Sequence, residues 1–165
     1  FVEVSIGVQR LQRLAHIYEQ RYLGPLYLYA NGPEILLVLP ANETHTLGLI
    51  TAAAIFRKNG TDPHLAIGFS DEELFKAIEN HDFKMIGISA SCSNTFEEIL
   101  RLENIIRSKT NGKTPIILGT NTDNLTEEQR DLDVFDLVTS DPFEAIMLIS
   151  KSEQNTKVST KKSRH

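Results

Sequence analysis

The chain has 165 residues, 41% of them apolar and 24% charged, with a net charge of −5. That composition suits one α/β domain with trimmings and a full core, and the negative balance argues against direct nucleic-acid binding. A single cysteine excludes an internal disulfide and fits a reducing cytoplasm, no apolar run reaches the ~20 residues of a membrane span, and no signal peptide is visible.

The first residue is Phe1 rather than a methionine, which reads as part of a longer protein. Phe1, Val4, Val8, Leu11, Leu14, Tyr18 and Tyr22 recur at three- and four-residue steps and predict an amphipathic helix over 1–23. Gly24-Pro25 stops it, and a linker with the turn signal Gly32-Pro33 runs to Glu34.

From Ile35 the pattern alternates strand and helix. The first strand is Ile35–Leu39, an apolar run of the kind a parallel strand covered on both faces wants, and Pro40 ends it. A helix follows Gly48, from Leu49 to about Lys58; the second strand is His64–Phe69. Ser70-Asp-Glu-Glu73 is a capping box for a helix through Asn80. The third strand is Lys84–Ser89, and a helix runs from Thr95 to Lys109. After the Asn111-Gly112 turn come a fourth strand, Pro115–Leu118, a short helix near Thr126–Asp131 and a fifth strand, Phe135–Thr139. Asp141-Pro142 opens a last helix ending near Ser150, with proline at a tolerated first-turn position. The predicted class is α/β: a flavodoxin-like, Rossmann-like five-stranded parallel sheet of order 2-1-3-4-5 with right-handed crossovers and helices on both faces. The expected division is 1–34 helix and linker, 35–150 α/β domain, and 151–165 a disordered basic tail carrying Lys151, Lys157, Lys161, Lys162 and Arg164.

Three loops, 41–48, 89–94 and 119–124, converge at the carboxyl ends of strands one, three and four, the edge where open α/β sheets bind ligands. They bring Ser89, Ser91, Cys92, Gly119 and Thr120 toward Glu43, Thr44 and His45. Imidazole is a good ligand for cobalt, iron or zinc, and a neighbouring carboxylate commonly fixes its tautomer and aim. A structural zinc site wants four ligands, and Cys92 would raise the count here only to two. One protein ligand makes sense when the metal already sits in a tetrapyrrole. On the loop alone, His45 as a plain polar loop residue stays open. His16 and His81 read as helix-face and turn residues, and His64 follows a proline at a strand start. There is no nucleophile–base pair, no P-loop and no Gly-x-Gly-x-x-Gly after the first strand.

Glu43-x-His45-x-x-Gly48 resembles the Asp-x-His-x-x-Gly signature of cobalamin-binding domains, with Glu in place of Asp. Together with Phe56-Arg-Lys-Asn-Gly60, Phe1-Val-Glu-Val-Ser-Ile-Gly7 and Arg10-Leu-Gln-Arg-Leu14, it resembles the branch found in bacterial antirepressors of the AppA/PpaA/AerR type. That branch is called the "sensor containing heme instead of cobalamin" domain, and the resemblance covers residues 1–150. It implies that the first helix is the last of a truncated helical cap. It implies a tetrapyrrole cofactor, cobalamin (adenosyl- or hydroxo-) or haem, with His45 as axial ligand to cobalt or iron and Glu43 as its orienting partner. The implied cofactor-binding set is Glu43, Thr44, His45, Thr46, Leu47, Gly48, Ser89, Ser91, Cys92, Gly119 and Thr120. The implied role is a non-enzymatic light or redox sensor in the cytoplasm, signalling to a transcriptional repressor of photosynthesis genes of the PpsR/CrtJ type. The alternative is the corrinoid carrier or cofactor domain of a methyltransferase or mutase. Cobalamin modules end the third strand in Ser-x-Leu and the fourth in Gly-Gly; Ser89-Ala-Ser91 and Gly119-Thr120 match each by half, which argues against deep insertion of the nucleotide tail and fits haem or a differently seated corrinoid. A phosphate-receiving domain would need an aspartate where Ser89-Ala-Ser-Cys92 has none.

Overall fold

Glu34–Leu39 form strand β1, and from Ile35 onward every residue of it is buried. A continuous apolar run leaves no solvent face, so the strand sits inside a sheet covered on both sides. The structure is a computed structural model that describes residues 32–41, 43, 46–91, 96–130 and 133–151. The expected cap helix over 1–23, its linker up to Asn31 and the basic tail beyond Lys151 lie outside the described residues.

Helix α1 is Thr46–Lys58, β2 is Asp62–Ile67, α2 is Asp71–Asn80 and β3 is Ile86–Ser89. Then follow α3 at Phe96–Lys109, β4 at Ile116–Gly119, a 3-10 turn at Thr122–Asn124, the single-turn α4 at Glu127–Arg130 and β5 at Leu137–Thr139. Residues 142–151 form α5. The sheet is parallel, with the order β2-β1-β3-β4-β5 expected from the sequence.

Several boundaries differ from the sequence reading by one to three residues; β3 begins at Ile86, β4 spans Ile116–Gly119 and β5 begins at Leu137, and the shifts of β2 and α1 bear most on the site. Strand β2 begins two residues earlier than expected and stops at Ile67, because Gly68 takes φ +64 and turns the chain out of the ladder. Pro63 is tolerated inside β2 because β2 is an edge strand. Helix α1 begins at Thr46, so Gly48 lies within its first turn instead of preceding it.

Period-two alternation divides the core into two layers. Leu36, Val38, Ile86, Ile88, Ile116 and Leu118 face α2 and α3, meeting Leu74, Ile78, Ile99, Leu102 and Ile106. Ile35, Leu37, Leu39, Met85 and Ile117 face α1 and α5, meeting Leu49, Ala53, Phe56, Ala145 and Ile149.

The start of α2 is fixed twice. Ser70 and Glu73 form the predicted capping box, with Glu73 N–H donating to the Ser70 hydroxyl at 3.3 Å and Ser70 N–H donating to the Glu73 carboxylate at 2.7 Å. Arg101 of α3 grips Asp71 with two hydrogen bonds of 2.8 and 3.1 Å and also binds Glu98. The guanidinium of Arg101 holds the Asp71 carboxyl below its ordinary value of 3.8. A carboxyl lowered on folding contributes stability above its unfolded value and loses it as pH falls through the folded one. Asp71→Asn is therefore expected to destabilise the domain at neutral pH by no more than ~1 kcal/mol, because the pair is half exposed. Urea melts of both proteins should converge at pH values well below 3.8. A difference that persists there would assign the effect to packing.

Candidate functional site

On the α1/α5 side of the sheet, the two apolar layers do not close along the whole strand length. A cleft of about 640 Å³ opens there over the carboxyl halves of β1, β3 and β4. Its floor is Leu37, Met85, Gly87, Ser89, Ile117 and Gly119; α1 supplies Gly48, Ala52, Ile55 and Phe56; Pro142 and Ala145 of α5 form the other wall. Polar groups gather at the carboxyl rim, where Ser91, Thr120, Asn121, Thr139 and Ser140 line it.

The alternation explains the opening. Ile86, Ile88, Ile116 and Leu118 fill the opposite layer. On this face β3 therefore presents Gly87 and Ser89, and β4 presents Ile117 and Gly119. A Cβ on Gly87 would lie 3.0 Å from Leu37 Cδ2 and 3.5 Å from Met85 Cε, so even alanine would crowd the floor. Gly119 is different: a Cβ there would meet only Ile88 O, at an ordinary 3.7 Å. Gly48 faces open space and stands exposed in the first turn of α1. Glycine inside a helix costs about 1 kcal/mol relative to alanine. Neither Gly48 nor Gly119 is demanded by the protein's own packing, and both leave room for a close external approach.

The rim loops are tied together by a buried carboxylate. Glu43 is only 7% exposed, and its Oε2 accepts hydrogen bonds from Ser91 N at 2.7 Å and Ser91 Oγ at 2.6 Å. Glu43 N donates to Pro40 O at 2.9 Å, closing the turn after β1. The loop after β1 is thus clamped to the loop after β3. On the far wall, Thr139 Oγ1 accepts from Asp141 N at 2.9 Å and donates to Glu144, fixing the entry into α5.

Of the residues singled out from the sequence, Leu47, Gly48, Ser89, Ser91, Gly119 and Thr120 line the cleft. Thr46 is the first residue of α1 and is not part of the lining. Glu43 joins the site through Ser91, a bond the sequence did not foretell. Thr44, His45 and Cys92 lie outside the described residues. The cleft reaches down to Leu37, Met85 and Ile117; Gly119 holds the floor position and Thr120 sits at the rim. Met85, Gly87, Ile117, Thr139, Pro142 and Ala145 also line it and were not anticipated. The available signal was Gly87, a glycine inside the apolar run Ile86-Gly-Ile88, which in a strand often marks close approach by a ligand.

The chain is similar to known proteins in sequence and in fold. An "Uncharacterized 20.5 kDa protein in bchF-crtJ intergenic region" of Rhodobacter capsulatus is 29% identical over 121 residues, 72% of this chain. The chain spans 62% of that relative's length. The crystal structure of a novel cobalamin-binding protein from Desulfitobacterium hafniense DCB-2 has the same fold, with a TM-score of 0.62 at 10% identity over 90% of this chain and 87% of that one. Residues 33–146, well over half of the chain, match the family model of the B12 binding domain, and the chain belongs to that family.

Proposed function

We propose that this domain holds a cobalamin, with His45 as axial ligand to cobalt, and serves as a non-enzymatic sensor that reports cofactor state to a transcriptional repressor of the PpsR/CrtJ type. The observation that carries the reading is the cleft between α1 and α5, kept open by Gly48, Gly87 and Gly119 beside the loop that contains His45. A corrinoid carries a nucleotide tail that haem lacks, and a tail needs a slot. The depth of this one favours cobalamin.

The residues present fit that group. Leu37, Met85, Ile117 and Phe56 give the tail a dry apolar channel, and Ser89 offers a hydroxyl on the floor for the base. Gly48 leaves the start of α1 bare at the cleft and would permit close approach by the cofactor. Glu43 and Ser91 hold the two rim loops at a fixed separation. When bound, the cofactor supplies a metal whose axial ligation changes with its oxidation and alkylation state. The sensor role is supported by the antirepressor-like sequence features and by similarity to a relative from a bchF-crtJ intergenic region. A corrinoid carrier would use the same slot but would have no state-dependent affinity for a repressor.

Incubation with hydroxocobalamin, adenosylcobalamin and hemin in turn, followed by gel filtration and visible spectra, tests the cofactor assignment. A cobalamin should co-elute with the protein and hemin should not; retention of hemin alone would sink the assignment. His45→Ala should remove the axial-ligand signature from the spectrum of bound hydroxocobalamin. For the sensor role, repressor affinity must differ between cofactor states, since a ligand shifts an equilibrium only by its differential affinity. Equal affinities would leave the carrier reading.

Gly87→Ala probes the slot itself. It should lower the melting temperature by a few degrees, because its Cβ would crowd Leu37 and Met85, which are both buried in the core. It should weaken cobalamin binding by roughly tenfold or more, the equivalent of the ~1–3 kcal/mol an overpacked contact costs. Glu43→Ala should weaken it by about 10–100-fold, the usual cost of losing an outer-shell brace. A double-mutant cycle of Glu43→Ala with Ser91→Ala should give a coupling of about 0.5–3 kcal/mol in stability. Additive effects would mean that the clamp between the two loops contributes nothing.

A further inference from the structure

At the amino edge of the sheet, far from the cleft, Glu34, His64 and His81 bring three ligand atoms within 4.8 Å of one another. Glu34 opens β1, His64 lies in β2, and His81 is the residue that caps the carboxyl end of α2. The ladder fixes their placement: Glu34 pairs with Asp62 and Leu36 pairs with His64, so Glu34 and His64 share one face of the sheet. The His81 Nδ1 atom is 3.2 Å from Glu34 Oε1, and His64 Nε2 is 3.3 Å from the same oxygen. Ligands about 2.0–2.1 Å from a tetrahedral ion stand roughly 3.3–3.4 Å apart. The separations of 3.2 and 3.3 Å are close to that length.

A second observation points to a ligand. The Nε2 atom of His64 is buried and makes no hydrogen bond among the described residues, although it faces Glu34. A buried nitrogen that makes no hydrogen bond is destabilising. A cation at the centre of the cluster would take up that lone pair, the His81 Nδ1 lone pair and the carboxylate together. Asp62 Oδ2 lies 3.8 Å from His64 Nε2 and stands outside the set of three. The rings are held in position. His81 stacks on Phe83 at 5.2 Å and 18°, and His64 meets the same ring edge-on at 5.3 Å and 72°.

We propose that Glu34, His64 and His81 form a three-residue binding site for a divalent ion of the Zn²⁺ class, with the remaining position left to solvent. Two imidazoles select a late first-row metal and disfavour Ca²⁺ and Mg²⁺, which take oxygen ligands. The three core ligands are about one-third exposed, so the ion enters from solvent. It links β1, β2 and the α2–β3 connection, and because the unfolded chain has no such site it stabilises the fold by mass action. The site is independent of the corrinoid cleft and does not rest on the sensor assignment.

The test uses the whole chain after EDTA treatment and dialysis. Titration with Co²⁺ should give visible d–d bands saturating at one ion per chain, Zn²⁺ should displace them, and Zn²⁺ should raise the melting temperature. His64→Gln and His81→Gln should each weaken Co²⁺ binding by at least about 100-fold, beyond what loss of an outer-shell group costs, with unchanged far-ultraviolet circular dichroism. Glu34→Gln, which keeps the side-chain shape, serves if either histidine variant fails to fold. No Co²⁺ uptake by the wild-type chain would overturn the proposal. So would uptake that survives the histidine substitutions, because the ion would then sit elsewhere.

Discussion

Everything at the carboxyl edge depends on one constraint: β3 must be bulky on one face and nearly bare on the other. Ile86 and Ile88 are 0% exposed and carry the α2/α3 layer. Gly87 and Ser89, one step out of phase, floor the cleft. Strand alternation makes that division possible, and a register slip of one residue would put isoleucine into the slot and glycine into the core. The pairing of Leu36 with Ile86 and of Leu37 with Gly87 holds the register against that slip. The clamp of Glu43 on Ser91 then fixes what the strands have set out, because it spans the two loops that leave them.

The amino edge is built on the opposite plan. There the chain closes itself with charged groups. Arg107, near the end of α3, donates to Val134 O at 2.6 Å and pairs with the buried Glu103, and that pairing raises the guanidinium above its ordinary value. Asp136 accepts from Ile116 N at 2.8 Å, joining the starts of β4 and β5. With Glu34, His64 and His81 at the β1/β2 end, the amino ends of four strands are fastened by polar side chains. A sheet anchored along one edge can leave the other open without losing its shape.

The sheet order was legible because each strand carried a short apolar run and each helix a punctuation mark. The capping box at Ser70, the Asn111-Gly112 turn, where both residues have positive φ, and Pro142 in the first turn of α5 are local signals that act locally. Loop residues of the cleft were legible too, since a strand-end position is a sequence property. What stayed hidden depended on distance in space. The bond between Glu43 and Ser91 joins residues 48 positions apart, and nothing near either one announces it. His64 and His81 looked like unrelated strand and turn residues until the pairing of β1 with β2 brought both to Glu34. Gly87 was written in plain view, but a glycine in a strand has several readings, and only the neighbouring Leu37 and Met85 select among them.

An open cleft can also be a packing defect, and the glycines separate the two cases. A defect arises where side chains fail to meet, and the residues around it lose burial together. Here Leu37 is 4% exposed, Met85 1% and Ile117 3%, all at the floor itself. Three glycines of the lining, Gly48, Gly87 and Gly119, come from α1, β3 and β4, and only at Gly87 do the chain's own side chains fill the space. Two of the three have space for a Cβ that the sequence declines to use. Glycine at such positions costs conformational entropy and returns nothing to the folded chain alone. The residues converge on a shared volume because something other than the chain is meant to occupy it.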